Sequence, residues 1–326
     1  MKIAVLDDYQ DAALTVADWS ALRARPEAPQ VTAYRDHLQS EDALVERLSD
    51  AEVIVLMRER TPVPRSLLQR LPALRLLVTT GMGNAAVDME AARERGVTVC
   101  GTRGLGPPTA ELTWGLILAL LRRIPHEHAA TRDGRWQTTL GEGVEGKTLG
   151  VLGLGRLGSQ VATVGKAFGM QVLAWSQNLT RERTDALGVE LAASKEALLQ
   201  AADIVTIHLV LSARTRGLLS APELGLMRPS AYLVNTSRGP IVEGAALIEA
   251  LRSRSIAGAA LDVFDVEPLP AGHPLLELAE QDNVVLTPHL GYVTRENYAI
   301  FYGDAVEDIT AYLDGAPVRV IEPRPR

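Results

Sequence analysis

Short, continuously apolar runs alternate with helix-forming segments along almost all of this 326-residue chain. This alternation constrains the fold more than any other feature, because an unbroken apolar run is typical of a strand buried on both faces of a parallel sheet. Strands that alternate with helices predict a doubly wound α/β architecture. The predicted strands are Ile3–Leu6, Val53–Met57, Leu74–Thr79, Val97–Cys100, Leu149–Leu152, Gln171–Trp175, Ile204–Ile207, Tyr232–Asn235, Ala259–Val263 and Val284–Leu286.

A strong boundary signal interrupts this pattern at Gly101–Pro108. The segment reads Gly-Thr-Arg-Gly-Leu-Gly-Pro-Pro, which ends regular structure, and its prolines can open the helix that follows. Four predicted strands precede the break and six follow it, so we predict two sheets rather than one. The last helical pattern, Thr294–Leu313, follows the final strand.

Composition restricts the classes of function. The 33 Lys and Arg residues are outnumbered by 40 Asp and Glu residues, which gives a net charge of −7, and we expect no nucleic-acid partner. The longest apolar run, residues 112–121, is about half of a bilayer span, and the first residues carry no signal-peptide pattern. We therefore expect a cytoplasmic protein with no membrane partner. One cysteine, Cys100, rules out an intrachain disulfide, and no metal site is predicted.

A glycine-rich turn lies between one predicted strand and the helix after it. The strand that ends at Leu152 leads directly into Gly153-Leu154-Gly155-Arg156-Leu157-Gly158, which is a G-x-G-x-x-G motif. This motif indicates dinucleotide binding when it lies between a strand and a helix, as it does in this sequence. Gly153 permits the tight turn, Gly155 lets the backbone approach a pyrophosphate, and Gly158 lets helix and strand pack closely. A helical pattern, Ser159–Phe168, follows at once, and the first amides of this helix then face the anion. The turn therefore predicts a bound dinucleotide.

The strand after this turn ends at Trp175-Ser176-Gln177, where an NAD enzyme would carry Asp or Glu, about 20 residues beyond the motif. Ser176 has no charge to repel the 2′-phosphate of NADP. Arg181 and Arg183 follow within loop reach, either as a phosphate clamp or as solvated surface residues. The predicted cofactor is NAD or NADP, with NADP slightly favoured by Ser176.

Three further segments each place a chemically active side chain just after a buried strand. They are Asn235-Thr236-Ser237-Arg238-Gly239-Pro240, Asp262-Val263-Phe264-Asp265-Val266-Glu267-Pro268 and Thr287-Pro288-His289-Leu290-Gly291. Ligands gather at strand carboxyl ends in open α/β sheets, so we expect Arg238, Glu267 and His289 to share one crevice. Each of them taken alone also has an ordinary structural explanation, in a turn or on the surface.

Together with the glycine turn, these segments closely resemble the D-isomer-specific 2-hydroxyacid dehydrogenase family, over nearly the whole chain. The resemblance implies a Rossmann dinucleotide-binding domain, residues 102–291, inserted into a split flavodoxin-like substrate domain. The first part of that substrate domain would be residues 1–101, and a C-terminal helix in residues 292–326 would complete it. The resemblance also implies a homodimer that interconverts a 2-keto acid and a D-2-hydroxy acid.

The resemblance further implies a role for each side chain. Arg238 would hold the substrate carboxylate and carbonyl, His289 would give and take the proton, and Glu267 would pair with His289. These residue types suit the chemistry, because histidine titrates near neutral pH and a guanidinium offers paired donors to a carboxylate. The predicted cofactor contacts are Gly153, Gly155, Arg156, Leu157, Gly158, Ser176, Thr236, Ser237, Arg238, Asp262 and Gly291, and the predicted substrate contacts are Met82, Gly83, Arg60 and Tyr292.

Some alternatives stay open at this point. Arg60 could instead be a surface residue, and Tyr292 could pack at a domain hinge. A dinucleotide-sensing, corepressor-like binding protein with the same fold is the second functional hypothesis. A formate-dehydrogenase-like enzyme is disfavoured, because that chemistry needs no proton relay and Glu267 suits one.

Overall fold

The computed structural model describes residues 1–26, 29–280 and 283–323. The chain folds into two units, each built around one parallel sheet. Unit 1 comprises Met1–Leu105 and Thr294–Arg326, and unit 2 comprises Gly106–Val293. The predicted α/β class, with two parallel sheets, is confirmed. None of the helices in the described ranges is long and apolar enough to cross a membrane.

Unit 1 has a five-stranded sheet in the order β2-β1-β3-β4-β5. Its strands are β1 (Lys2–Val5), β2 (Gln30–Ala33), β3 (Val53–Leu56), β4 (Leu76–Thr79) and β5 (Thr98–Gly101). Its helices are α1 (Ser20–Arg23), α2 (Glu41–Leu48), α3 (Arg65–Gln69), α4 (Met89–Glu94) and, last in the chain, α13 (Arg295–Leu313). The strand order reverses between β1 and β3, so the carboxyl ends of these two strands form the switch point where such sheets bind ligands.

Unit 2 has a seven-stranded sheet in the order β12-β11-β10-β9-β6-β7-β8. Its strands are β6 (Thr148–Leu152), β7 (Gln171–Trp175), β8 (Glu190–Leu191), β9 (Ile204–Ile207), β10 (Tyr232–Asn235), β11 (Gly258–Leu261) and β12 (Val284–Leu286). Its helices are α5 (Pro107–Leu121), α6 (Ile124–Arg132), α7 (Arg156–Ala167), α8 (Arg181–Asp185), α9 (Lys195–Ala201), α10 (Ala221–Leu224), α11 (Gly244–Arg252) and α12 (Pro274–Leu278), with a 3₁₀ turn at Gly239–Ile241. Counted from β6, this is the dinucleotide-binding order with one further strand, and its switch point lies between β6 and β9.

The predicted counts of four and six strands are wrong, because two edge strands were missed. The residues of β2 are all partly or fully exposed, and β8 contains only two residues. An edge strand is covered less completely than a central one, so its sequence lacks the continuous apolar run on which the prediction depends. The central strands β3, β4, β9 and β10 carry that run and are buried along their whole length.

Buried charges join the C-terminal helix and the segment after it to the rest of unit 1. Asp304 and Asp308 lie one turn apart on α13 and are 3% and 0% exposed. Arg103 donates to both oxygens of Asp304, at 2.7 and 3.1 Å, and Arg319 Nε donates to Asp308 Oδ1 at 2.9 Å. The amide of Gly101 donates to the carbonyl of Arg319 at 3.0 Å. Because buried carboxylates need such partners, these contacts determine where the last segment lies beside β5.

Asp308 makes the stability of unit 1 depend on pH. Burial raises the pKa of Asp308 to about 7, with Arg319 acting in the opposite direction and Asp304 and Glu307 adding to the rise. An aspartate in the unfolded chain has a pKa of about 3.9, so the folded protein binds this proton more tightly. The resulting contribution to the free energy of unfolding is complete below about pH 4 and is lost as the pH rises to about 7.

We therefore expect Asp308→Asn to remove this contribution. Urea unfolding between pH 5 and 8 measures the free energy of unfolding of both proteins. The value for wild type minus the value for the variant should fall with rising pH, by roughly 1–3 kcal/mol. Asp42→Asn serves as the control, because the side chain of Asp42 is 85% exposed. The difference in unfolding free energy between wild type and Asp42→Asn should not change with pH. Parallel pH profiles for wild type and Asp308→Asn would contradict the assignment.

Candidate active site

The glycine turn lies at the switch point of the unit 2 sheet, between β6 and α7. Gly153 has a φ of +100°, and a Cβ there would lie 2.7 Å from the carbonyl oxygen of His208. A Cβ on Gly158 would lie 1.9 Å from the carbonyl oxygen of Gly153. By contrast, a Cβ on Gly155 would have no atom within 4 Å. The turn therefore needs glycine at two positions to form and has space at the third, which fits the close approach of a pyrophosphate.

Helix α7 begins directly after this turn. It starts at Arg156, three residues earlier than the pattern that begins at Ser159, so Arg156, Leu157 and Gly158 form its first turn. The first amides of an α-helix have no partner within the helix, and the helix dipole is positive at that end. The predicted cofactor residues Arg156 and Leu157 therefore lie at the anion-binding end of α7.

The end of β7 carries the predicted determinant of cofactor choice. Ser176 is half-buried, and its carbonyl accepts a hydrogen bond from the amide of Leu179 at 3.0 Å, which closes a turn. Arg183 Nη2 donates to Ser159 Oγ at 3.0 Å, and Ser159 follows the first turn of α7. Arg183 is therefore held beside the start of α7, and Arg181 is exposed at the start of α8.

His289 and Glu267 form a direct pair. His289 Nδ1 lies 2.6 Å from Glu267 Oε2, and the amide of Phe264 donates to Glu267 Oε1 at 2.8 Å. Burial by itself raises the pKa of Glu267, but the bond and charge of His289, the Phe264 amide and the charge of Arg238 lower this pKa below its ordinary value. Glu267 is therefore held as a carboxylate on Nδ1, and Nε2 is the ring atom that remains for a ligand.

The loop that carries His289 is held by one buried carboxylate. His289 has a φ of 55°, which is uncommon for a residue other than glycine. Asp262, fully buried at the end of β11, accepts hydrogen bonds from the Thr287 hydroxyl at 2.6 Å and from the amides of Leu290 and Gly291 at 2.7 and 2.9 Å. Burial raises the pKa of Asp262, although these three hydrogen bonds act to lower it. In this structure, Asp262 and Gly291 shape the loop that presents the imidazole.

Arg238 follows β10 on a loop that Asn235 shapes. The side chain of Asn235 accepts from the amide of Ser237 and donates to the carbonyl of Arg238, both at 3.0 Å. The hydroxyl of Ser237 donates to the carbonyl of Leu209. Arg238, Glu267 and His289 thus lie together at the carboxyl ends of β10, β11 and β12. Asn235 was not among the predicted site residues, although an amide that closes an apolar strand is a signal that could have identified it.

Tyr292 lies next to the imidazole of His289. The two ring centroids are 5.3 Å apart, and their planes meet at 64°, an edge-on arrangement. Such a contact is one of the preferred geometries of aromatic pairs. The ring of Tyr292 therefore limits the space on one side of His289.

The other predicted substrate contacts belong to unit 1. Met82 follows β4 and is 56% exposed, and a Cβ on Gly83 would have no atom within 4 Å. Asn84 fixes this loop, because its side-chain amide donates to the Arg58 carbonyl at 2.7 Å and to the Thr79 hydroxyl at 2.9 Å. The backbone at Met82 and Gly83 is therefore accessible on a loop of defined shape.

Arg60 lies at the switch point of the unit 1 sheet. Its Nη1 donates to the carbonyl of Asp7 at 2.8 Å, and its guanidinium carbon lies 4.7 Å from the centroid of the Tyr9 ring. Asp7 and Tyr9 follow β1, and Arg60 follows β3. The guanidinium is thus anchored at the ligand-binding edge that the strand order predicts.

Comparisons with known proteins agree with this geometry. The family model for the D-isomer specific 2-hydroxyacid dehydrogenase, NAD binding domain, matches residues 114–291. The glyoxylate reductase of Aeropyrum pernix is 41% identical over 285 residues, which are 84% of this chain and 83% of that protein. The D-3-phosphoglycerate dehydrogenase of Methanocaldococcus jannaschii is 39% identical over 260 residues, which are 79% of this chain but 49% of that relative.

Among solved structures, a phosphoglycerate oxidoreductase from Vibrio cholerae superposes with a TM-score of 0.90. It is 37% identical, and the match covers 97% of this chain and 100% of that one. The family model and these relatives agree with each other and with the two-sheet architecture. The chain belongs to the D-isomer-specific 2-hydroxyacid dehydrogenase family.

Proposed function

We propose that this chain interconverts a small 2-keto acid and the corresponding D-2-hydroxy acid by hydride transfer with a nicotinamide cofactor. The observation that carries the proposal is the His289–Glu267 pair in the same group of strand ends as Arg238. Reduction of a keto acid places a hydride on C2 and a proton on the carbonyl oxygen. A site for this reaction therefore needs an acid at that oxygen and a cation for the carboxylate.

In the proposed mechanism Arg238 binds the substrate carboxylate and carbonyl through its N–H donors. His289 Nε2 gives its proton to the carbonyl oxygen during reduction and takes it back during oxidation. Glu267 orients the ring through its hydrogen bond with Nδ1. When bound, the nicotinamide supplies or accepts the hydride, and the Gly153–Gly158 turn would hold the pyrophosphate.

We assign dinucleotide binding to residues 102–291 and substrate binding to residues 1–101 with 292–326. The accessible amides near Met82 and Gly83 suit a carboxylate, because successive backbone N–H groups form anion-binding concavities. Arg60 offers a cation at the switch point of the unit 1 sheet, and within unit 2 Tyr292 limits the space beside His289. The names of the relatives favour small keto acids such as glyoxylate, and a panel of glyoxylate, hydroxypyruvate, pyruvate and phenylpyruvate tests the choice.

A corepressor-like binding protein is the alternative for the same fold. The three relatives are named as a reductase, a dehydrogenase and an oxidoreductase, and none of these names supports the alternative. Binding of the cofactor without reduction of any keto acid in the panel would favour it.

We also propose that the protein is a homodimer. Trp136 and Leu140 are 77% and 95% exposed, and the segment that carries them is fixed by Glu127, which accepts hydrogen bonds from Thr138 and Thr139. Exposed apolar side chains on an ordered segment are typical of a surface that binds another protein.

We expect His289→Ala to lower kcat for keto-acid reduction by about 10²–10⁴, the usual contribution of acid–base catalysis. Affinity for the cofactor should stay nearly unchanged. His128→Ala is the matched control, because that histidine is exposed on α6 and its loss should leave kcat unaltered. Steady-state kinetics and a cofactor titration measure both quantities, and near-wild-type reduction by His289→Ala would refute the assignment.

We expect the natural protein to accept NADPH at least as well as NADH, because Ser176 carries no charge. Ser176→Asp should shift the preference toward NADH by repelling the 2′-phosphate. A repulsion of about 1–2 kcal/mol corresponds to a change of roughly 5- to 30-fold in the ratio of kcat/KM values. Ser253→Asp adds the same charge at the end of α11 and should leave the ratio of the two kcat/KM values unchanged. A wild type that strongly prefers NADH would contradict the proposal.

Arg183 supplies an independent test of the same preference. Its guanidinium is held beside the start of α7 by Ser159, so Arg183→Ala should weaken NADPH binding by about 5- to 10-fold, an effect of about 1 kcal/mol. NADH binding should change little. Arg181→Ala is the matched control on the same helix, and equal losses for the two variants would show that general charge, not a clamp, is responsible.

A further inference from the structure

A hydrogen bond from the start of helix α5 holds the loop that carries His289. The hydroxyl of Thr109 donates to the carbonyl of Gly291 at 2.8 Å, and a carbonyl can only accept, so Thr109 is the donor. Gly291 is buried, and its amide donates to Asp262 at 2.9 Å. The backbone of Gly291 is therefore bonded on one side to the end of β11 and on the other side to α5.

The position of Thr109 in α5 leaves its hydroxyl available to another part of unit 2. A threonine inside a helix commonly donates to the carbonyl three or four residues earlier, as Thr113 does to Thr109 at 2.8 Å. Thr109 is the third residue of α5, which begins at Pro107, so both of those earlier residues precede the helix. The Thr109 hydroxyl instead binds the loop of His289.

Helix α5 is a firm support for this bond. Its residues Trp114, Ile117 and Leu120 are buried and pack in one apolar cluster with Leu149 and Val151 of β6. A closely packed interior leaves little room for a helix to shift. The Thr109 hydroxyl is therefore fixed relative to the unit 2 sheet.

The carbonyl that Thr109 binds belongs to the central peptide of a β-turn. The amide of Val293 donates to the carbonyl of Leu290 at 2.8 Å, which closes the turn 290–293 around Gly291 and Tyr292. Neither central residue has the positive φ that types II, I′ and II′ require. Types I and II differ by a rotation of the central peptide, so the bond from Thr109 holds that peptide in its present orientation.

Tyr292 connects this turn to the imidazole of His289. The two rings lie edge-on, with their centroids 5.3 Å apart. Rotation of the central peptide to type II would give Tyr292 a positive φ, which is unfavourable for a bulky residue, and would move its side chain. Glu267 binds Nδ1 of the imidazole, and the ring of Tyr292 limits how the imidazole can turn about that bond.

We infer that Thr109 is a positioning residue for proton transfer: it holds the turn that keeps Tyr292 against His289, and so keeps the imidazole oriented toward the substrate carbonyl. The inference rests on the proposed role of His289 as the acid. Thr109 acts through the turn 290–293 and not on the substrate itself. Its loss should therefore slow the chemical step and leave cofactor binding unchanged.

Thr109→Val is the informative change, because valine keeps the shape of threonine and removes the donor. Thr109→Ser keeps the hydroxyl and should behave as wild type. Thr310→Val is the matched control, because Thr310 is also a half-buried threonine and its hydroxyl donates within its own helix, to the carbonyl of Val306 at 2.7 Å.

The experiment measures the single-turnover rate of glyoxylate reduction from the absorbance of NADH or NADPH, whichever wild type prefers, and the dissociation constant of that cofactor. We expect Thr109→Val to lower the rate by about 5- to 30-fold, because one buried carbonyl loses its donor and the acid is misplaced. The dissociation constant should stay within about twofold of wild type. Thr109→Ser and Thr310→Val should keep both quantities.

A double-mutant cycle separates positioning from a general structural defect. In the His289→Ala background the acid is absent, so adding Thr109→Val should change the residual rate by less than about twofold. A defect that merely lowers the fraction of folded protein reduces the rate by the same factor in both backgrounds. The two changes should therefore be strongly non-additive.

Equal losses in the two backgrounds would overturn the inference, and so would a wild-type rate for Thr109→Val. If Thr109→Val fails to fold in a thermal melt, Thr109→Ala replaces it in the same cycle, because alanine also removes the donor and favours the helix. Near-wild-type reduction by His289→Ala alone would instead refute the proposed function, so the two failures are distinct.

Discussion

The buried carboxylate of Asp262 is the contact on which the geometry of the site depends. It binds one hydroxyl and two amides of the loop 287–291, and it does so from the end of β11, a strand fixed between β10 and β12. These bonds help to hold His289 at a positive φ, a conformation that L-residues adopt at a cost, together with the Glu267–His289 pair and the Thr109 hydroxyl that donates to the carbonyl of Gly291. A carboxylate is costly to bury, and its bonds to the loop offset that cost. Asp262, which the sequence suggested as a cofactor contact, is thus also a structural centre.

Two kinds of interaction act together around this centre. Glu267 is kept as a carboxylate by His289, Phe264 and the charge of Arg238, which outweigh its burial. Hydroxyl groups on α5 meanwhile contact the loops on both sides, through Gly291 and Thr236. Charge and hydrogen bonding therefore keep Glu267 ionised, while the hydrogen bonds of Asp262 and of the α5 hydroxyl groups set the position of the loops. This division suits a site that must transfer a proton without moving its framework.

The sequence predicted the central strands well, and it missed β2 and β8. A central strand of a parallel sheet is covered on both faces, so its apolar run is visible in the sequence, as in Val53–Leu56 and Ile204–Ile207. The edge strand β8 contains only two residues, and it is identified by its pairing with β7. The start of α7 was likewise placed three residues late, because glycine and arginine in its first turn do not show an apolar period.

The sequence by itself determined the α/β class and the glycine turn, and it named Arg238, Glu267 and His289 as candidates, because strand burial, glycine spacing and residue chemistry are local properties that the order of amino acids expresses directly. Only the tertiary structure decided which groups orient them. Asp262 binds residues 25 to 29 positions further along the chain, and Thr109 binds Gly291 across 182 positions. The position of each partner depends on how strands pair and how α5 packs on the sheet. Hydrogen-bond direction between distant residues depends on distances of a few ångströms, and no pattern in one sequence encodes such distances.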